Sequence, residues 1–218
     1  MTEWAGGNLA IGLQALSFGA ALPWPDGIPD DANELLIDAP EGASELVGSI
    51  GYGRELLGFR IGVVGKAIEE RVGPGRDATG AADIGIVRRL IGITFGFSAQ
   101  NLGPGLSIGD VALPLPTRFT LGASTSSTPV GPFDLLVSTA VSHRRDGEII
   151  PSGGLEISWW PIVGRTFFGR VGVRRVPGDG ASPFTFGLGF RSDVIAIDYA
   201  FEEFDAPGSS HRLGLSWR

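Results

Sequence analysis

Apolar side chains hold every second position over long stretches of this chain. Ile91, Ile93, Phe95, Phe97 and Ala99 alternate with Gly92, Thr94, Gly96, Ser98 and Gln100. The same alternation returns from Phe184 to Arg191, from Phe119 to Ser124 and from Leu213 to Arg218. A period of two is that of a β-strand, with one greasy face and one small, polar face.

Read along its length, the pattern predicts an all-β chain of about 10–12 strands joined by turn residues. They fall at Asn8 to Phe18, Leu46 to Glu55, Phe59 to Glu69, Ala78 to Arg88, Ile91 to Asn101 and Thr117 to Thr125. The remainder are Phe133 to His143, Gly154 to Trp160, Thr166 to Arg174, Phe184 to Arg191, Val194 to Phe204 and His211 to Trp217. A hairpin is expected around Leu56-Leu57-Gly58, and Gly73-Pro74-Gly75 reads as a loop. Arg89-Leu90 and Ser192-Asp193 are the tightest expected connections. Short connections imply consecutive antiparallel hairpins. The long exception, about Ala20 to Ser44, is rich in proline and carboxylates. No amphipathic helix of useful length is found, and the chain reads as a single domain, 1–218.

Composition decides how such strands can be used. The 218 residues include 35 glycines, only 19% charged residues and no cysteine. Mean hydropathy is +0.18. Glycine is thus at roughly twice its usual share, and much of it lies inside strands, where it marks bends or close approach. A net charge of −7 argues against a nucleic-acid surface. Without cysteine there is no disulfide, thiol nucleophile or cysteine-held zinc. No run approaches the ~18 apolar residues of a spanning helix, but a membrane strand needs only about 9–11 residues with alternate positions apolar.

Two architectures remain. A soluble sandwich interdigitates its apolar faces and clothes the outer ones in Lys, Glu and Thr. Here the second face is mostly Gly, Ser and Thr with isolated ions at Arg60, Lys66, Asp83, Arg118, Glu156, Arg191 and Asp198. That face suits the lumen of an antiparallel up-and-down transmembrane β-barrel, where opposite charges pair or line a solute path. Trp4, Trp24, Trp159, Trp160, Trp217, Phe133, Phe167 and Phe204 lie near strand ends, as interfacial girdles require, though a sandwich core uses aromatics equally well.

Several segments resemble one family. They are Gly62-Val63-Val64-Gly65-Lys66-Ala67-Ile68, Ala82-Asp83-Ile84-Gly85-Ile86 and Phe97-Ser98-Ala99-Gln100-Asn101-Leu102-Gly103-Pro104. Further matches are Leu113-Pro114-Leu115-Pro116-Thr117-Arg118-Phe119-Thr120-Leu121-Gly122, Ala196-Ile197-Asp198-Tyr199-Ala200-Phe201, and the stretch from Gly208 to Trp217. In order and spacing these are similar to the PorV/PorQ family of bacterial outer-membrane barrels. The resemblance covers roughly residue 44 onward and implies a barrel related to the FadL-like porins. Members of that family serve type IX secretion as shuttles or scaffolds. It also implies membrane lipid as a partner, together with secretion-apparatus proteins or a hydrophobic solute. Family members carry a signal peptide and an N-terminal segment, whereas Met1-Thr2-Glu3-Trp4 has neither a basic nor an apolar leader region. An N-terminally incomplete barrel, of about 14 strands when whole, is therefore expected.

Catalytic chemistry is sparse, and no enzyme or cofactor is expected. His143 and His211 neighbour Ser142 and Ser210, but no Gly-x-Ser-x-Gly elbow accompanies them. Glu69-Glu70-Arg71 and Glu202-Glu203 read as solvated strand ends. Asp26, Asp30, Asp31, Glu34, Asp38, Glu41 and Glu45 offer oxygen ligands for calcium but lack EF-hand spacing, and a plain acidic loop is the expected reading. Gly103-Pro104-Gly105 reads as a turn, since no Lys-Ser/Thr follows. The competing class of function is a soluble β-sandwich that binds a ligand or calcium.

Overall fold

The computed structural model describes residues 2–4, 6–18, 42–109, 111–176, 182–203 and 209–217. Most of the acidic connection, with Trp24, lies outside them, as does Phe204. Among the described residues there is no helix, and so none long and apolar enough to cross a membrane.

The strands are β1 (Thr2–Trp4), β2 (Gly7–Phe18), β3 (Ala43–Leu56), β4 (Phe59–Val72), β5 (Gly75–Leu90) and β6 (Ile93–Leu102). There follow β7 (Leu106–Ile108), β8 (Val111–Leu113), β9 (Arg118–Thr125), β10 (Thr128–Val130), β11 (Phe133–Arg144) and β12 (Ile149–Ile162). The last are β13 (Arg165–Arg174), β14 (Phe184–Ser192), β15 (Ile195–Glu203) and β16 (Ser209–Trp217). Hydrogen-bonded neighbours keep chain order from β1 to β6, then β9, then β11 to β16, with β10 added beside β11. β7 and β8 form a separate two-stranded sheet. Among the described residues no pairing joins β1 to β16.

Each of the twelve expected strands has a counterpart, and β2–β3–β4 and the run from β11 to β16 pair antiparallel. Several boundaries move, among them the starts of β3 and β5, which lie three residues ahead of the expected Leu46 and Ala78. The turn expected at Arg89-Leu90 falls at Ile91-Gly92, both with positive φ (48° and 77°), and Ser192 belongs to a strand, so that its turn is Asp193-Val194. β12 starts at Ile149, ahead of the expected Gly154, and runs through Pro151. The Pro151 carbonyl accepts from Arg175 N at 2.9 Å, on the β13 side, and a strand residue directs its N and O the same way. The missing N–H therefore faces the flank where β13 ends, and the ladder to β11 is intact.

The trace divides into two compact units, Met1–Gly85 with Ala99–Thr117, and Ile86–Ser98 with Arg118–Arg218. In both units large apolar side chains are exposed on one face of the sheet, while the covered face mixes polar with apolar groups. In unit 1, Ile11 (81%) and Leu13 are exposed along β2, and Val63, Gly65 and Ala67 along β4, while Val64, Lys66 and Ile68 of β4 are covered. In unit 2, Phe95, Phe97, Leu121, Phe186, Leu188 (65%) and Leu215 are exposed, while Thr94, Thr120, Ser138, Ser158, Thr185 and Asp198 are partly or fully covered. Unit 1 holds one small apolar cluster, Ile68, Ala81, Leu106 and Leu115, flanked by Val47 and Leu113.

Candidate functional site

The covered face carries the polar chemistry, and in unit 1 it is organised around Lys66. Strand parity places Lys66 of β4 and Asp83 of β5 on this face. Lys66 Nζ lies 2.7 Å from Asp83 Oδ2 and donates to Asn101 Oδ1 at 2.9 Å. Asp83 Oδ1 accepts from Asn101 N at 2.8 Å. Asn101 sits at φ 56°, a left-handed position that Asn tolerates better than most residues, one residue before the end of β6. Its amide Nδ2 donates to Pro116 O at 3.1 Å, and its carbonyl accepts from Thr117 Oγ1 at 3.0 Å.

This node secures the segment 103–117, which folds back as the β7–β8 hairpin against the covered face. Leu106 and Leu115 enter the apolar cluster with Ile68 and Ala81. Ser107 N donates to Asp77 Oδ2 at 2.5 Å, and Thr79 Oγ1 donates to Pro104 O at 3.0 Å. Gly103 lies so close to β5 that a Cβ would collide with the Gly80 carbonyl oxygen. Gly103→Ala is therefore expected to displace the hairpin and to cost about 1–3 kcal/mol, the range for overpacking. Faster proteolytic cleavage at Leu106 or Leu113 would report it, and an unchanged cleavage rate would refute it. Beside the hairpin is a cavity of about 470 Å³, bordered by Gln14, Glu45, Val47, Ile68, Glu70 and Leu113 among others.

In unit 2 the covered face carries an ion ladder. Arg170 of β13 places Nε 2.6 Å from Glu156 Oε2 on β12 and Nη1 2.7 Å from Asp198 Oδ1 on β15. Asp198 lies two strands away, so the guanidinium must pass over β14. Gly187 and Gly189 make the passage, since a Cβ at Gly189 would lie 3.0 Å from Asp198 Oδ1 and 3.4 Å from Arg170 Nη1. The alternating glycines of Phe186-Gly187-Leu188-Gly189-Phe190 thus clear space for charges held by neighbouring strands. Arg174 pairs with Glu202 farther along. Arg170 and Arg191 both approach the Phe168 ring, each with its guanidinium carbon 5.1 Å from the centroid.

Of the ions expected on the small face, Lys66 pairs with Asp83, and Glu156 and Asp198 meet through Arg170. Arg191 reaches Phe168, while Arg60 and Arg118 are exposed near strand starts. Arg170 and Arg174 are functional-face residues absent from that expected set. Their signal was available, because Thr166, Phe168, Arg170, Gly172 and Arg174 share one parity on β13.

Neither Ser142 nor Ser210 is hydrogen-bonded to a histidine among the contacts of the described residues, and the serine beside His211 is Ser209. Ser142 Oγ is 2.9 Å from Thr120 Oγ1, and His211 lies between Tyr199 OH (2.7 Å) and Ser209 Oγ (3.0 Å). No group of three or more His, Asp or Glu able to hold a metal ion occurs among the described residues. What the site offers is a polar face on which Lys66 is paired with Asp83, and Arg170 with Glu156 and Asp198. No known family model matches the chain, and a search of curated proteins finds no similar one.

Proposed function

We propose that this chain is a non-enzymatic β-barrel protein of the bacterial outer membrane. In this reading it is of the PorV/PorQ type and acts in transport or as a component associated with type IX secretion. The observation that carries the reading is the exposed apolar face. Ile11, Phe95, Leu121, Phe186, Leu188 and Leu213 are exposed on one face, and ion pairs, hydroxyls and glycines occupy the other. Soluble monomers rarely expose contiguous apolar patches beyond a few hundred Å². In a bilayer that face is solvated by acyl chains, and the polar groups turn inward.

Strand length agrees, since β2 to β5, β11 and β12 have 12 to 16 residues against the roughly 9–11 a tilted membrane strand requires. Trp159, Trp160 and Trp217 are exposed near one end of unit 2, as an interfacial girdle requires, and Trp160 Nε1 keeps a polar partner in Asp134. The role in transport or secretion rests on the segment resemblance.

The reading is tested by fractionating cells that express the chain. It is expected in the outer-membrane fraction, extracted only by detergent, with gel mobility that shifts on heating. Recovery as a detergent-free soluble monomer would overturn it.

A further inference from the structure

At one end of unit 2 three hairpin tips set an aliphatic side chain beside the Gly or Asp that water-exposed turns favour. β5 and β6 are joined by Ile91-Gly92, β12 and β13 by Val163-Gly164, and β14 and β15 by Asp193-Val194. Ile91 and Val163 are fully exposed, at 102% and 101%, with Leu90, Ile162 and Val194 exposed beside them. The tips are neighbours in pairs. Ser126, just after β9, donates from both N and Oγ to Gly92 O at 2.7 Å, and Gly164 lies against the Asp193 carboxylate.

Ile91 is also strained. Its φ of 48° puts a β-branched residue in the left-handed region, which Asn or Gly occupies far more readily. Such strain persists where surrounding contacts fix it, and it concentrates at functional positions. The bracing is visible, because Arg89 Nη2 donates to Ser126 Oγ at 2.7 Å while that hydroxyl holds Gly92.

The charge around the tips has one dominant sign. Arg88, Arg89, Arg165 and Arg191 stand near these turns, against the carboxylates of Asp193 and, beside Trp160, Asp134. Trp159 and Trp160 precede the Val163 tip, and Trp217 pairs with Ile195 beside the Val194 tip. If those aromatics mark the membrane interface, the aliphatic tips project beyond it into water.

We propose that this rim docks a protein partner whose contacting surface is apolar and acidic. The side of the membrane interface on which the rim lies rests on the outer-membrane reading. The partner's chemistry rests on the tips themselves, since branched aliphatics set among arginines complement an apolar surface bearing carboxylates.

The test uses the full chain in phosphatidylcholine nanodiscs with two fluorescent amphipathic peptides, one of Leu and Glu and one of Leu and Lys. Anisotropy above that of empty nanodiscs is expected for the Leu/Glu peptide and not for the Leu/Lys peptide, and added salt should weaken it. The double variant Ile91→Asn, Val163→Asn should weaken binding at least tenfold while heat-modifiable mobility is unchanged, because Asn suits the Ile91 position. Equal binding of both peptides, or binding that ignores the double variant, overturns the proposal.

Because the chain has no cysteine, Val163→Cys supplies a single thiol. It should react promptly with a membrane-impermeant maleimide in nanodiscs. A thiol reactive in detergent but protected in nanodiscs would place lipid on the rim and overturn the proposal. A chain recovered without detergent defeats the membrane reading instead, and the peptide comparison then decides the rim on the soluble protein.

Discussion

Replacing Asp83 with alanine should destabilise the fold by about 3 kcal/mol, near the lower end of the cost of breaking a buried ion pair by removing one partner. The lower end applies because the side chains of Lys66 and Asp83 retain 20% and 17% exposure, so some solvent reaches the orphaned charge. Two groups lose their partner at once. The Lys66 ammonium keeps only the Asn101 carbonyl oxygen, and Asn101 N loses its acceptor at a residue already in the left-handed region. Asn101 also holds Pro116 and Thr117, so the loss should spread to the hairpin and speed amide exchange across residues 103–117.

The expected readout is a lower midpoint for heat modification in detergent. Lys66→Met combined with Asp83→Leu should recover much of it, because a buried pair replaced by apolar groups of similar volume is often neutral. The double-mutant cycle then isolates the coupling between the two residues. A single variant within ~0.5 kcal/mol of the parent, the scatter of ordinary surface changes, would show that the node does not hold the hairpin.

The physical reasons some features were legible and others not can be traced to individual residues. The period of two locates all the long strands because it is a local property, visible in Phe184 to Arg191 without knowledge of any neighbour. It also identifies Lys66, Asp83, Glu156 and Asp198 as members of the small face. It cannot show who meets whom. Arg170 reaches Asp198 across an intervening strand, and that depends on the β13–β14–β15 register and on the absence of a side chain at Gly189.

The β7–β8 hairpin escaped because its strands are three residues each, too short for periodicity to register. Its anchoring depends on Asp77 and Thr79, both remote in sequence, and on Asn101, whose left-handed conformation the alternation does not reveal. The turn at Ile91-Gly92 escaped for the opposite reason. Local propensity argues against a β-branched residue at positive φ, and tertiary bracing by Ser126 overrides it. Glycines that read as generic markers of curvature prove, at Gly189, to clear the path of a guanidinium.

The orientation of the sheet makes the second large prediction, in which water and lipid demand opposite signs. Val137 lies near the middle of β11 and Leu188 in the middle of β14, both on the exposed face. If that face meets water, Val137→Arg and Leu188→Arg replace an exposed apolar group with a solvated ion and should fall within about ±0.5 kcal/mol. If it meets acyl chains, each arginine must be desolvated or must snorkel, and the cost near the bilayer midplane is about 2–4 kcal/mol. Ile149 is the internal control. It too is exposed, at 53%, but adjoins the charged turn Arg144-Arg145-Asp146-Gly147-Glu148, so Ile149→Arg should cost no more than about 1 kcal/mol in lipid. Equilibrium unfolding in urea from lipid vesicles would measure all three. A large loss for the two mid-strand variants with little for Ile149→Arg gives a depth profile that no water-facing sheet can produce, whereas uniformly small effects would return the apolar face to water.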